Sequence, residues 1–158
     1  MSQAGASTFV RFIKFGIVGG SGVFVNLGIY ALLTRIFGLG DDLAGRFVSY
    51  ALSVEISIVT NFILNDIWTF SDRGRENGLP VRFVRFHVVS FIGAVVNWGI
   101  FAVLNWLLEN GDMVLLGDVT LLGRGFNVDD LVAGCLGIIG AMMWNFFANL
   151  MWTWKETS

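Results

Sequence analysis

The chain has 158 residues, 55% of them hydrophobic and 14% charged, with a formal charge of -2 and a mean hydropathy of +0.71. A water-soluble domain needs about 25% charged residues to cover its surface, so apolar surface here must face something other than water. The charge balance gives no support for nucleic-acid binding, and the single cysteine, Cys135, excludes an internal disulfide or a cysteine-rich metal cluster.

Four apolar tracts follow one another at 15 to 34, 47 to 65, 86 to 108 and 128 to 152. Each is close to the ~20 residues an α-helix needs to cross a bilayer core. The chain is therefore predicted to be all-α, a polytopic membrane protein with four transmembrane helices. Arg11 and Lys14 precede the first tract as in a signal peptide, but the apolar run is too long and lacks a small-residue cleavage site. It is read as a retained span. Gly16 and Gly20 form a close-packing face there rather than a nucleotide loop, because no strand comes before them.

Glu55 lies inside the second tract. An acid at a helix centre costs about 3 kcal/mol and usually faces a bundle interior or a watery cavity. At 100° per residue it stands roughly 240° around the helix from Asn61, so it faces a different neighbour. It is either a proton-coupling or substrate-binding carboxylate, or a residue protonated in place or paired across an oligomer interface. Asp66 and Asp72 flank Trp68-Thr69-Phe70, yet the loop offers too few polar residues for a metal-assisted transferase. No HExxH, GxxxxGK or Cys/His ligand group is present. The chain is expected to be no enzyme and to use no cofactor and no metal.

Charge placement predicts topology. Arg11, Lys14, Arg73, Arg75, Arg82, Arg85 and Lys155 share one side in a four-span arrangement. The other side holds Arg35, Arg46 and Arg124 against Asp41, Asp42, Glu109, Asp112, Asp118, Asp129 and Asp130. The excess of basic residues predicts both termini and the loop at 67 to 85 in the cytoplasm. The alternation of apolar with basic residues at 9 to 15 and 82 to 87 suits either helix anchoring or an anionic, lipid-linked ligand.

The two halves of the chain resemble each other. Shifted by 71, Arg11, Lys14, Phe15, Gly22, Asn26 and Gly28 fall on Arg82, Arg85, Phe86, Gly93, Asn97 and Gly99. Shifted by 84, Asn61, Phe62, Asn65, Trp68 and Thr69 fall on Asn145, Phe146, Asn149, Trp152 and Thr153. Two tandem helical hairpins are expected, a parallel repeat in which each helix keeps its direction, within one domain over 9–154 (hairpins 9–70 and 80–154). Ser49, Ser53, Ser57, Asn61 and Asn65 are spaced by four and align with Ala133, Gly137, Ala141, Asn145 and Asn149. Such stripes let helix backbones approach and supply interhelical hydrogen bonds. The same asparagines are candidates for lining a polar groove, Asn65 and Asn149 foremost because they lie nearest the interface. Glu55 breaks the repeat, its counterpart being Ile139.

FVRFIKFGIVGGSGVFVNLGIY, NFILNDIWTF, RFVRFHVVSFIGAVVNWGIF and WNFFANLMWTW, in that order, resemble the GtrA family of small membrane proteins over about 9 to 154. The resemblance implies a multi-pass protein of the cytoplasmic membrane that moves a polyprenyl-phosphate-linked sugar, such as an undecaprenyl-phosphate sugar, for cell-surface polysaccharide synthesis. It implies a membrane glycosyltransferase as partner. Arg11, Lys14, Asn26, Glu55, Asn61, Asn65, Arg82, Arg85, Asn97, Asn145 and Asn149 are the candidate substrate-binding residues. One copy supplies little polar cover for a phosphate and sugar, which favours a homo-oligomer or a partner. Two alternatives stay open: a scaffold for a glycosyltransferase that transports nothing, and a small proton-coupled exporter using Glu55 with Phe47, Tyr50 and Phe62 around it.

Overall fold

The computed structural model describes residues 3–74, 76–110, 118–121 and 124–155, and the side chains of 7–74, 76–108 and 128–155. Arg75 and Asp112, counted in the charge asymmetry, lie outside the described residues. Four long helices dominate: α1 (Gln3–Arg35), α2 (Leu43–Leu64), α3 (Leu79–Asn110) and α4 (Val128–Ala148). Four spans within them, Ser7–Arg35, Leu43–Thr69, Leu79–Leu108 and Val128–Thr153, are long and apolar enough to cross a membrane. The connection between α3 and α4 adds a short antiparallel pair, β1 (Asp118–Leu121) and β2 (Arg124–Asn127), with Asp118 opposite Asn127 and Leu121 opposite Arg124.

The burial pattern is that of a chain made for lipid. Leu43, Phe47, Phe24, Phe91 and Trp98 stand outward, where hydrocarbon solvates them as well as a protein interior would. Ser49, Ser53, Asn65, Thr69, Asn149 and Thr153 are buried. In lipid these small and polar side chains gain more from one another than from the bilayer.

Local chemistry sets the helix ends. Gly38 takes a positive φ of 71° just past α1, a backbone state open to Gly without steric penalty. Asp42 caps α2, its Oδ1 accepting from the Gly45 N–H at 2.6 Å. Pro80 sits in the first turn of α3, where its missing N–H costs no hydrogen bond. Both α2 and α4 run on into a five-residue π-helical turn, Asn65–Thr69 and Asn149–Thr153. In the first of these the Phe70 N–H donates to the Asn65 carbonyl at 2.8 Å. The wider turn redirects the side chains beyond it.

The chain forms two compact units, Met1–His87 with Met151–Ser158, and Val88–Leu150. In the first unit α1 packs on α2 at Gly22, where an added Cβ would come inside 3.0 Å of the Asn61 amide atoms. Ser57 donates to the Gly22 carbonyl at 2.8 Å, and Asn26 donates to Ser53 at 3.4 Å. In the second unit Gly93 lies against the Asn145 amide in the same way, and Gly137 lies against Asn97. Residues aligned by the shifts of 71 and 84 thus occupy the same kind of contact within each unit.

A basic pocket at the start of the first helix

Arg11 and Lys14 project from α1 toward the π-helical turn that ends α2. With Ser7, Val10, Trp68, Thr69, Ser71 and Asp72 they line a cavity of about 400 Å³. The Arg11 guanidinium donates to Ser7 Oγ at 2.6 Å and forms an ion pair with the Asp72 carboxylate. Lys14 Nζ lies 5.4 Å from the centre of the Trp68 ring, a cation–π contact. Thr69 Oγ1 is buried with no hydrogen-bond partner among the described residues. The wall therefore offers two cations and an unused hydroxyl.

Burial pushes the Asp72 carboxyl up, but the hydrogen bond from Arg11, a backbone hydrogen bond and the charges of Arg11 and Arg73 outweigh it. The result lies below the ordinary carboxylate value. Asp72 stays largely exposed while Arg11 is mostly buried. The carboxylate thus sits at the mouth as an exchangeable partner for a cation held within.

A second cavity of about 310 Å³ opens between α1 and α2, lined by Gly19, Gly22, Val23, Asn26, Leu27, Ser57 and Asn61. The Asn61 Oδ1 there is buried, with no hydrogen-bond partner among the described residues. Asn26 and Asn61 therefore share one polar groove inside the membrane span, as the stripe of small and amide residues suggests.

Other candidate residues are placed differently. Arg82, expected to receive an anion, is buried in a bidentate ion pair with Asp66, Nε to Oδ1 at 2.8 Å and Nη2 to Oδ2 at 3.1 Å. Its Nη1 donates to the carbonyls of Asn77 and Gly74. Its donors are thus directed at Asp66, Asn77 and Gly74, and its surface is covered. Asn65 and Asn149, the foremost candidates for lining a polar groove because they lie nearest the interface, are fully buried, as Ser49, Ser53 and Ala133 of the same stripes are.

Arg85 stands over Trp152 at 5.6 Å and donates to the Trp152 carbonyl at 3.0 Å. It thereby repeats the Lys14–Trp68 contact. Asn97 and Asn145 lie in the second unit against Gly137 and Gly93. Glu55 pairs with His87, confirming that it faces a neighbour other than the stripe's.

Ser7, Thr69, Ser71 and Asp72 were not singled out as binding residues from sequence. The alignment of Thr69 with Thr153 was the one available signal, and it is equally a packing signal.

Long apolar helices, amide and small-residue contacts between them, and a basic pocket at a helix end define a multi-pass helical membrane protein. The sequence profile of the GtrA/DPMS transmembrane-domain family matches residues 14–154, and the chain belongs to that family. A similar protein is the dolichol-phosphate mannosyltransferase of Pyrococcus furiosus, 39% identical over 97 residues. That match covers 61% of this chain but 26% of the relative. The family is linked to lipid-linked sugars and glycosyltransferases.

Proposed function

We propose that this chain receives a polyprenyl-phosphate-linked sugar at the cytoplasmic face of the cytoplasmic membrane and carries it, or directly supports its passage, to the other side. The basic pocket is the observation that supports this reading. A phosphate diester or pyrophosphate is an anion at neutral pH, and Arg11 and Lys14 offer the charge-assisted donors it needs. Thr69 Oγ1 adds a hydroxyl without a partner of its own among the described residues. The apolar outer surface of α1 and α2 suits the polyprenyl tail, and the Asn26–Asn61 groove offers polar cover along the span. The excess of basic residues near the pocket supports a cytoplasmic side for it and for both termini.

The test is reconstitution of the full chain in liposomes containing a fluorescent polyprenyl-phosphate sugar, with outer-leaflet exposure read by a membrane-impermeant reagent. Exposure several-fold faster than in empty liposomes is expected, slowed by Arg11→Lys. A Lys keeps the charge but loses the planar fork that grips two phosphate oxygens. Exposure no faster than in empty liposomes removes the stand-alone carrier.

One observation favours a second reading, a scaffold for a glycosyltransferase. The chain spans about a quarter of a relative described as a mannosyltransferase, so most of that protein lies outside the shared part. On this reading the purified chain is inert toward the lipid-linked sugar but raises sugar transfer when the enzyme is added.

A further inference from the structure

Glu55 and His87 meet in the first unit, and neither has a like residue at its shifted position, where Ile139 and Gly16 stand. His87 Nε2 lies 3.0 Å from Glu55 Oε1, and His87 Nδ1 lies 3.0 Å from the Phe83 carbonyl oxygen. A carbonyl oxygen only accepts, so Nδ1 carries a hydrogen. One further proton must then sit between Nε2 and Oε1. Either a carboxylic acid donates to a neutral imidazole, or an imidazolium donates to a carboxylate. These two forms differ by the position of one proton and have the same net charge.

The surroundings leave this proton to the pair alone. The imidazole is steadied against the Phe83 ring, with centroids 4.2 Å apart. Charged groups on the three nearby elements are engaged elsewhere: Arg11 with Asp72 and Lys14 over Trp68 on α1, Asp66 with Arg82 across α2 and α3, and Arg85 over Trp152. No other described hydrogen bond or ion pair reaches Glu55 or His87. The Glu55 side chain is 56% exposed, and its Oε2 has no hydrogen-bond partner among the described residues. Both residues lie inside membrane-spanning helices, where a lone charge is costly.

We propose that Glu55 and His87 form a proton-exchange site within the membrane. From the ion-paired form, a proton delivered from water binds the carboxylate at Oε2, leaving a carboxylic acid beside an imidazolium. Its loss to water restores the pair. No bond between heavy atoms forms or breaks, and the site alternates between net charges of 0 and +1.

His87 is the single histidine of the chain, so the full chain labelled with ¹⁵N-histidine in lipid bilayers gives one imidazole to follow from about pH 4 to about pH 9. Nδ1 and Nε2 should both stay protonated at the acid end while the Nε2 chemical shift moves as Glu55 takes up its proton, and Glu55→Gln should remove that movement. Glu55→Asp, which retracts the carboxylate by one methylene, should keep a smaller movement and guards against loss of folding in the first variant. A hydrophobic carbodiimide, which modifies protonated carboxyls, should label Glu55 several-fold more at the acid end, as read by mass spectrometry. An Nε2 signal and a labelling yield that both hold constant across the range would make the pair a static strut and overturn the proposal. An unchanged movement in both Glu55 variants would overturn it as well.

Discussion

The indole of Trp154 lies flat on the ring of Phe70, centroids 4.4 Å apart and planes within 12°, although the shift of 84 makes each the counterpart of the other. Trp154 Nε1 donates to Asp66 Oδ1 at 2.9 Å, and the Trp154 carbonyl accepts from Arg73 Nε at 3.2 Å. Gly74, at a φ of +65°, lies so close that an added Cβ would come inside 3.0 Å of the Trp154 Cα. Trp154→Ala should therefore lower stability by about 3–5 kcal/mol. Trp154→Phe keeps the stack and loses the Nε1 donor, and should cost less. Thermal unfolding in detergent micelles, followed by near-ultraviolet circular dichroism, separates the two.

The Asp66–Arg82 pair is buried on both sides. Removing one partner strands the other charge, at about 3–5 kcal/mol, whereas replacing both by apolar residues of similar volume often comes near neutral. Asp66→Leu and Arg82→Met should each be poorly folded, and the double variant should recover much of the loss. A double-mutant cycle on unfolding free energy checks this. Additive losses would mean that the pair is not an energetic unit.

Gly22 and Gly93 make the same demand in different units. Gly22→Ala and Gly93→Ala should each destabilise by about 1–3 kcal/mol by displacing the Asn61 or Asn145 amide. Asn61→Ala and Asn145→Ala should relieve their own partner's substitution and leave the other unrelieved. Cross-relief would sink the assignment.

Asp72 pairs with Arg11, so on the proposed function an incoming anion must compete with it. Its folded-state carboxyl is held below the ordinary value, so its contribution to stability is complete above the unfolded-state range and fades as pH falls through the lowered value. Asp72→Asn should accordingly tighten sulfate binding to the pocket by about tenfold and make wild-type and variant affinities converge at acid pH. Trp68 fluorescence reports the binding. Equal affinities at neutral pH would show that Asp72 does not guard the site.

The spans, their order and the paired residues were legible because lipid imposes simple requirements on composition and length, and because amides and glycines at fixed spacing are rare in apolar tracts. Gly22 could be matched with Gly93 and Asn61 with Asn145 from spacing alone, but not each glycine with the amide it meets. The role of Arg82 could not, since its partner Asp66 lies on another helix and nothing local distinguishes a buried guanidinium from one at a headgroup. The π-helical turns were equally hidden. Asn65 and Asn149 open those turns and stay buried, as Ser49, Ser53 and Ala133 earlier on the same stripes are. The small β-pair lies outside the membrane-spanning tracts, where hydropathy has little to say.

Trp154 joins its unit after the whole of the other unit has been made. A ribosome adds about 5–20 residues per second, so α1, α2 and the start of α3 wait several seconds in the bilayer without the indole that donates to Asp66. During that interval the Arg82 guanidinium, at the start of α3, is the partner of Asp66 already made. The order of synthesis thus brings Arg82 to Asp66 before Trp154 can reach it.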